Sequence, residues 1–254
     1  MRICILMLLT LFFAGSVSAE SILPKSVGEA ILINGQKSPG TNSAYTTSGE
    51  LPIKILASPV TSSLPLLLFI SGDGGWNSFE EALGQSLNQR GVSVVVLDAQ
   101  KYFWKSKTPD ETASDLSSVI ETWQKTWGKE HFVVAGFSFG ASVVPFVVNR
   151  LPAELRKNLS TSLLISPDKS CDFEIHLSDM LNVVTTRGRY DVIREIQAGS
   201  PQRMVVFFGS DERAESRKAF EQVGVSIRIL QGNHHFDSGY DVLADLIVAE
   251  MGKE

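Results

Sequence analysis

The sequence feature that most constrains the fold is a regular alternation of apolar runs and amphipathic stretches that begins near residue 63. Apolar runs of strand length occur at 65–70, 92–97, 131–135, 162–165, 204–208 and 225–230. Stretches with helical periodicity separate them, at 78–90, 110–127, 141–150, 212–222 and 240–251. Continuous apolar strands that alternate with helices are typical of a mostly parallel sheet with helices on both faces. Shorter runs at 30–33 and 51–57 predict two further strands before this core.

This order predicts that the loops after the strands lie along one edge of the sheet, where such folds bind ligands. The chain has 254 residues, an ordinary length for one α/β domain. Its formal net charge is -5 and it contains no basic run, which argues against a nucleic-acid-binding protein.

The first 19 residues have the pattern of a secretory signal peptide. A basic start at Met1 and Arg2 precedes an apolar run over 3–14, and Val-Ser-Ala at 17–19 supplies the small residues of a cleavage site before Glu20. The run is shorter than the ~20 apolar residues of a spanning helix. We therefore predict export, cleavage after residue 19 and one domain over 20–254. Cys171 is then the single remaining cysteine, so no intramolecular disulfide can form.

The strongest chemical motif is the pentapeptide Gly-Phe-Ser-Phe-Gly at 136–140, which lies between a predicted strand and a predicted helix. This is the G-x-S-x-G nucleophile elbow in its strand–turn–helix context. Glycines flank the serine at a distance of two residues because larger side chains would clash in so tight a turn. The motif predicts that Ser138 is a nucleophile, and that the amide of Phe139, the next residue, contributes to an oxyanion hole.

A serine hydroxyl needs a base, and the histidines at 131, 176, 234 and 235 are the candidates after signal cleavage. His234 and His235 follow the last predicted strand, at the ligand edge, where the α/β-hydrolase chain order Ser, acid, His requires the histidine. An adjacent histidine pair also suits a metal, but no third ligand has a suitable spacing. We therefore predict neither a metal nor a cofactor.

Two further loops supply the remaining groups. Asp211 and Glu212 follow the predicted strand at 204–208, so one carboxylate is expected to orient the imidazole. The other is expected to cap the next helix, and Asp211 is well placed as its N-cap. The loop Ser-Gly-Asp-Gly-Gly-Trp at 71–76 follows the first core strand. No G-K-[ST] follows it, so it is not a phosphate loop, and the Asp73 amide is the predicted second oxyanion donor.

Five segments together resemble the VirJ/AcvB family of bacterial virulence proteins over roughly residues 64–254. They are the segments at 71–76, 101–104, 136–141, 172–176 and 232–236. The resemblance implies an α/β-hydrolase fold and a periplasmic location. AcvB-like members act on aminoacylated phosphatidylglycerol and release the amino acid, whereas VirJ-like members are tied to type IV secretion. The length of this chain fits the single-domain VirJ form.

In hydrolases of this class the acid lies three residues after the glycine at the strand end. That spacing implies Glu212 rather than Asp211, and the same count from Gly232 implies His235 rather than His234. One departure from the general pattern is Ser71, where many relatives of the fold carry a histidine.

Two classes of function remain open at this stage. One is an esterase that acts on aminoacylated phosphatidylglycerol, a related lipid-linked ester or a small ester. The other is a periplasmic adaptor that keeps the scaffold and binds secretion-system proteins. Substrate contacts are expected from neighbours of the predicted site, namely Gly74, Trp76, Tyr102, Trp104 and His234. The aromatic and lysine residues at 101–107 also suit a peripheral membrane contact. The segment 167–201 is long for a connection and is expected to form a cap, with Arg187 and Arg189 on it.

Overall fold

The computed structural model describes residues 51–175, 188–199 and 203–253. Within these ranges the strands are β1 (Ile53–Leu56), β2 (Leu66–Ile70), β3 (Val94–Leu97), β4 (Phe132–Phe137), β5 (Leu159–Ile165), β6 (Ser170–Cys171), β7 (Tyr190–Asp191), β8 (Met204–Gly209) and β9 (Ser226–Leu230). Seven of them form one sheet in the order β1-β3-β2-β4-β5-β8-β9, and β6 pairs with β7 in a separate ribbon.

All neighbouring strands of the main sheet run parallel except β1, which pairs antiparallel with β3 at the edge. The prediction of a mostly parallel sheet is therefore confirmed. The six strands predicted between 65 and 230 are all present, with ends shifted by three residues at most. Crossovers return the chain to the same edge after each strand, so the loops that follow β2, β4, β5, β8 and β9 lie along that edge.

The helices are α1 (Ser78–Gln89), α2 (Ala99–Tyr102), α3 (Pro109–Trp127), α4 (Phe139–Arg150), α5 (Ala153–Arg156), α6 (Val192–Ala198), α7 (Ala214–Glu221) and α8 (Tyr240–Met251), with a 3₁₀ turn at Phe236–Ser238. Local sequence explains their starts: α1 and α3 each begin with a capping box, Asn77 with Glu80 and Thr108 with Glu111. In each box the side chain of the first residue accepts from an amide in the first turn.

Two apolar layers cover the two faces of the sheet. Alternate residues along each strand point to opposite faces, so Leu66 and Leu68 belong to one layer and Leu67 and Phe69 to the other. Helices α3 and α4 pack in the first layer, and α1 and α8 in the second. This is the two-faced covering that the continuous apolar strands predict.

The segment expected to form a cap is described in part. Its ribbon β6–β7 and helix α6 lie beside α4, and Phe173 packs against Phe146 and Tyr190 there. The interpretation of 167–201 as a cap stays a prediction, because Arg187 and most of its middle lie outside the described residues. The signal peptide at 1–19, the strand at 30–33 and His176 lie outside them as well.

No helix in the described ranges combines the length and the apolar character that crossing a membrane requires.

The tightest packing in the sheet occurs where α4 starts beside the end of β2, and it yields a stability prediction. A Cβ atom on Gly140 would lie 2.2 Å from the carbonyl oxygen of Ile70 and 2.4 Å from that of Ser71. We expect Gly140→Ala to lower the free energy of unfolding by about 3 kcal/mol or more, because backbone on both sides must move. Urea denaturation measures this.

Gly128→Ala is the matched control for that variant. Gly128 ends α3 at φ 61° and has open space around its Cα, so the substitution costs only the left-handed conformation, about 1–2 kcal/mol. Equal destabilisation by the two variants would show that the close approach of α4 to β2 does not constrain the fold.

Candidate active site

Ser138 occupies a strained turn between β4 and α4. Its backbone has φ 52° and ψ -114°, a conformation that costs free energy for a residue with a side chain and that recurs at functional sites. The turn brings its flanking glycines together: a Cβ on Gly136 would lie 2.4 Å from the carbonyl carbon of Gly140. The amide of Ser138 donates to the carbonyl of Ile165 at 2.8 Å, which ties the elbow to β5. The side chain is thereby fixed at the ligand edge.

The imidazole of His234 bridges the serine and an acid. Its Nε2 lies 3.0 Å from the Oγ of Ser138, and its Nδ1 lies 3.0 Å from Oε2 of Glu212. When Nδ1 carries the proton and donates to the carboxylate, Nε2 is free to accept from the serine hydroxyl. Nucleophile, base and orienting acid are therefore in continuous contact, as the triad arrangement requires.

The structure corrects the assignment of the base, which was expected at His235. The His235 ring packs edge-on against Phe79, with ring centroids 5.2 Å apart, and the hydrogen bond to Ser138 comes from His234 instead. The reason is the shape of the loop. The His235 amide donates to Oδ1 of Asn233 at 2.7 Å, and this local bond belongs to a turn that directs His234, not its neighbour, toward the serine. Counting three residues from Gly232 therefore gives His235, one residue after the histidine that contacts the serine.

Glu212 is the acid in contact with the imidazole, and its carboxylate is held on both oxygens. Oε1 accepts from the Gly209 amide at 2.7 Å and from the Ser166 hydroxyl at 2.8 Å, while Oε2 faces His234. Burial alone would raise the pKa of this carboxyl, but the bonds from His234, Gly209 and Ser166 outweigh burial and lower the pKa. The group is therefore kept ionised, as the partner of an imidazole N–H should be.

Asp211 has neither of the roles considered for it. Its side chain is exposed and accepts from the hydroxyl of Ser210 at 2.8 Å. It does not cap the following helix: α7 begins at Ala214, and the cap residue is Arg213, which makes no side-chain cap bond. The expectation that one carboxylate of the pair caps this helix was wrong, because the helix starts two residues later than its sequence pattern indicated.

Ser166 is a part of the site that sequence reasoning missed. It follows β5 with φ 52°, it is 1% exposed, and its hydroxyl reaches Oε1 of Glu212 and, at 3.3 Å, the carbonyl of His234. The available signal was its position, since it is a polar residue directly after a core strand at the ligand edge. Its hydroxyl joins the acid to the histidine loop and so fixes both.

The two predicted oxyanion donors lie in the expected elements. Phe139 is the first residue of α4, and the first amides of a helix have no acceptor within it. Asp73 lies in the loop after β2, and its amide has no protein acceptor among the described residues. That loop adjoins the elbow, because a Cβ on Gly72 would lie 3.3 Å from the ring of Phe137. Both amides are thus available for an anion beside Ser138.

Of the predicted substrate contacts, Tyr102 is buried, which corrects that expectation, and Trp76 is partly buried and held by neighbouring side chains. The Trp76 indole donates to Glu81, and the ammonium of Lys54 lies over its ring, 4.8 Å from the centroid. Tyr102 is buried, and its hydroxyl donates to Asp115 at 2.6 Å. Burial, followed by this bond, raises the pKa of the Tyr102 hydroxyl. Aromatic residues near a ligand edge here complete the packing instead of facing the site.

The other predicted contacts remain accessible. Gly74 is exposed, and its amide donates to the carboxylate of Asp73 at 3.0 Å. Trp104 has 53% of its surface exposed, whereas the adjacent Phe103 is buried against Phe139. Trp104 thus lies in a segment that packs directly behind the first residue of α4.

The most voluminous groove described for this protein lies away from the triad. This groove of about 1210 Å³ lies at the opposite edge of the sheet, where residues that precede β2, β4 and β8 line it, Pro65, His131 and Arg203 among them. None of Ser138, His234 and Glu212 lines it. In the described ranges no group of three or more His, Cys, Asp or Glu side chains could hold a metal ion.

Comparison with known proteins identifies the family and the fold. Residues 65–254 match the family described as "VirJ: Bacterial virulence protein (VirJ)". No curated protein sequence gives a significant match.

Solved structures with the same fold are numerous and distant in sequence. Proline iminopeptidase of Mycobacterium smegmatis is similar with a TM-score of 0.57 at 13% identity, over 82% of this chain and 98% of that one. Est1E from Butyrivibrio proteoclasticus has a TM-score of 0.57 at 13% identity, over 84% and 100%. The thioesterase domain from the curacin biosynthetic pathway has a TM-score of 0.53 at 13% identity, over 81% and 98%. At these identities the likeness establishes the α/β-hydrolase fold.

The contact between His234 and Ser138 predicts how the two histidines differ. His234→Ala should abolish covalent labelling of Ser138 by a fluorophosphonate, because the hydroxyl then keeps its proton. His235→Ala removes an adjacent imidazole of equal size that makes no contact with the serine, so labelling should stay within about threefold of the wild type. The labelling rate is measured by gel fluorescence. Loss of labelling in His235→Ala with retention in His234→Ala would reverse the assignment.

Proposed function

Since the chain belongs to the VirJ family of bacterial virulence proteins and has the α/β-hydrolase fold, we propose that it is a serine hydrolase that cleaves carboxylic esters. The observation that carries the proposal is the continuous contact from Ser138 through His234 to Glu212, with 3.0 Å at each step. An activated serine of this kind acts through a covalent acyl intermediate.

The reaction has two halves. In the first, Nε2 of His234 takes the proton of Ser138 while Oγ attacks the ester carbonyl, and the amides of Asp73 and Phe139 donate to the resulting oxyanion. The tetrahedral intermediate collapses, the protonated imidazole gives its proton to the leaving alcohol, and the acyl group stays on Ser138. In the second half, His234 removes a proton from water as the water attacks the acyl-serine. The tetrahedral intermediate then breaks its bond to Oγ, the imidazolium returns the proton to Ser138, and the acid is released.

Glu212 supports both halves without taking the proton itself. It holds the tautomer in which Nε2 can act as a base, and its charge stabilises the imidazolium that forms in each half. The Ser166 hydroxyl and the Gly209 amide keep that carboxylate ionised and in place.

The substrate class we propose is an amino acid esterified to phosphatidylglycerol, or a related lipid-linked ester. The family resemblance suggests it, and the charge around Ser138 supports it. Burial raises the pKa of Asp168, and its carboxyl group interacts electrostatically with His234, Glu212, Asp73 and Arg213, so acidic groups besides the triad acid lie near the site. Carboxylates near the reacting carbonyl favour an acyl group that carries an ammonium, as an aminoacyl ester does.

The same proposal includes a location. The basic, apolar and small-residue pattern of residues 1–19 supports export to the periplasm and cleavage before Glu20. The exposed indole of Trp104 suits a peripheral contact at the level of lipid headgroups, where tryptophan is favoured. Such a contact would bring the ligand edge to a lipid-linked substrate.

Hydrolysis of matched esters by the purified protein tests the function. We expect release of the amino acid from alanyl-phosphatidylglycerol, with the N-acetylated form cleaved about tenfold more slowly because it lacks the ammonium. Ser138→Ala should lower the rate on the order of 10⁴-fold or more, because the covalent route is lost. Asp168→Asn should narrow the difference between the two esters.

The outcomes separate the alternatives. Hydrolysis of small esters but not of the lipid would reject the lipid substrate and keep the enzyme. A folded protein without Ser138-dependent turnover on any ester would leave the adaptor of type IV secretion as the better explanation. In that case Ser138→Ala should also secrete like the wild type in cells, because the loss of one oxygen hardly alters a binding surface.

A further inference from the structure

Glu80 is a carboxylate buried completely within the protein, at 0% exposure, directly behind the loop that carries Asp73. Its Oε1 accepts from the amide of Gly72 at 3.1 Å, and its Oε2 accepts from the amide of Asn77 at 3.3 Å. Burial raises the pKa of this carboxyl, although both amide bonds lower it. A carboxyl group is costly to bury, so its retention here calls for a role that an apolar side chain would not fill.

Helix capping alone does not account for this arrangement. Glu111 occupies the same position in the capping box of α3, but its carboxylate is exposed and bonds only to Thr108, the cap residue of the same box. Glu80 makes the equivalent bond to the amide of its cap residue, Asn77, and adds a second bond to Gly72, eight residues away. That additional bond connects α1 to the loop after β2.

The hydrogen bond from Gly72 to Glu80 holds the Ser71–Gly72 peptide. The next peptide along the chain carries the predicted oxyanion donor, the Asp73 N–H. The carbonyl of Gly72 accepts from the Gly75 amide at 3.0 Å and from the Ser71 hydroxyl at 3.2 Å, so Gly72 is held at both its N–H and its C=O. The Gly72 carbonyl and the Asp73 N–H belong to one planar trans peptide and point in opposite directions. The bonds that fix Gly72 therefore also fix the direction of the Asp73 N–H.

The loop is also fixed relative to the nucleophile. The carbonyl of Ser71 lies so close to Gly140 that no Cβ would fit there, and Gly72 lies against the ring of Phe137. A shift of Gly72 would thus move the Asp73 amide with respect to Ser138. An oxyanion donor is effective only when its N–H is aimed beforehand at the site of developing charge.

We propose that Glu80 is a positioning residue for the oxyanion hole: it holds Gly72 at its N–H, so that the following Gly72–Asp73 peptide directs the Asp73 N–H toward the oxyanion formed at Ser138. This inference rests on the proposed hydrolase function. Glu80 touches no reacting atom, so its effect should be confined to the transition state and absent from substrate binding.

The test compares Glu80→Gln with Glu111→Gln. Glutamine offers one oxygen and one NH₂ group, so at position 80 it can accept from Gly72 or Asn77 but not from both. We expect Glu80→Gln to lower kcat about 10- to 100-fold with KM within about threefold. The affinity for a boronic acid, which forms a tetrahedral adduct with the serine, should fall by the same factor as kcat/KM. Glu111→Gln, the same change in an isolated capping box, should leave all three values within about twofold.

Folding is controlled separately. Thermal melting and titration of reactive sites with a fluorophosphonate give the folded fraction, so a merely structural role would lower the amount of active protein without changing kcat per site. If Glu80→Gln does not fold, Ser71→Ala decides. It removes the hydroxyl that donates to the Gly72 carbonyl and accepts from the Ala99 amide. Where the variant folds, it should show the same loss of kcat and boronate affinity with KM retained.

Two results would overturn the proposal in distinguishable ways. If the wild type turns over with Ser138 dependence and the kcat per site of Glu80→Gln equals that of Glu111→Gln, the positioning role alone is wrong. The same holds if Ser71→Ala, used in its place, retains full kcat. If the wild type shows no Ser138-dependent turnover, the hydrolase function fails, and the positioning role fails with it.

Discussion

The close contact between the start of α4 and the end of β2 is the constraint on which the rest of the site depends. Gly140 lies against the carbonyls of Ile70 and Ser71, with no space for a side chain. This contact forces the chain to turn within one residue, and Ser138 takes up the resulting strain at φ 52°. The same contact fixes the loop after β2 beside the serine. One backbone approach therefore sets both the nucleophile and the predicted oxyanion donor.

Around this turn, a chain of hydrogen bonds connects charged and polar groups. His234 contacts the serine, Glu212 contacts His234, and Ser166 together with the Gly209 amide holds Glu212. Each group restricts the next, so the imidazole has one orientation available. Glu80 plays the equivalent part on the other side of Ser138, where it holds a peptide instead of a side chain. Precision at the reacting atoms thus depends on polar groups that never meet the substrate.

Features that depend on nearby residues in the chain were predicted from the sequence. The positions of the core strands follow from the apolar runs, and the elbow follows from two glycines at positions with no space for a side chain. Glu212 was also expected from its spacing. The sequence could not decide between His234 and His235, because adjacent side chains point apart and the side chain of Asn233 shapes the loop. Ser166 meets Glu212 across 46 residues of sequence, a distance at which no spacing rule applies. Aromatic residues near the site suited a pocket or a core equally well, and Tyr102 proves to be a core residue.

The central claim is that Ser138, His234 and the two loop amides form one catalytic unit. A crystal structure of the protein after reaction with a phosphonate ester tests it most directly, because the adduct imitates the tetrahedral intermediate. We predict a covalent bond from phosphorus to Oγ of Ser138, His234 within hydrogen-bonding distance of the adduct, and a phosphoryl oxygen about 3 Å from the amides of Asp73 and Phe139. An adduct on another residue, or a phosphoryl oxygen directed away from both amides, would contradict the account.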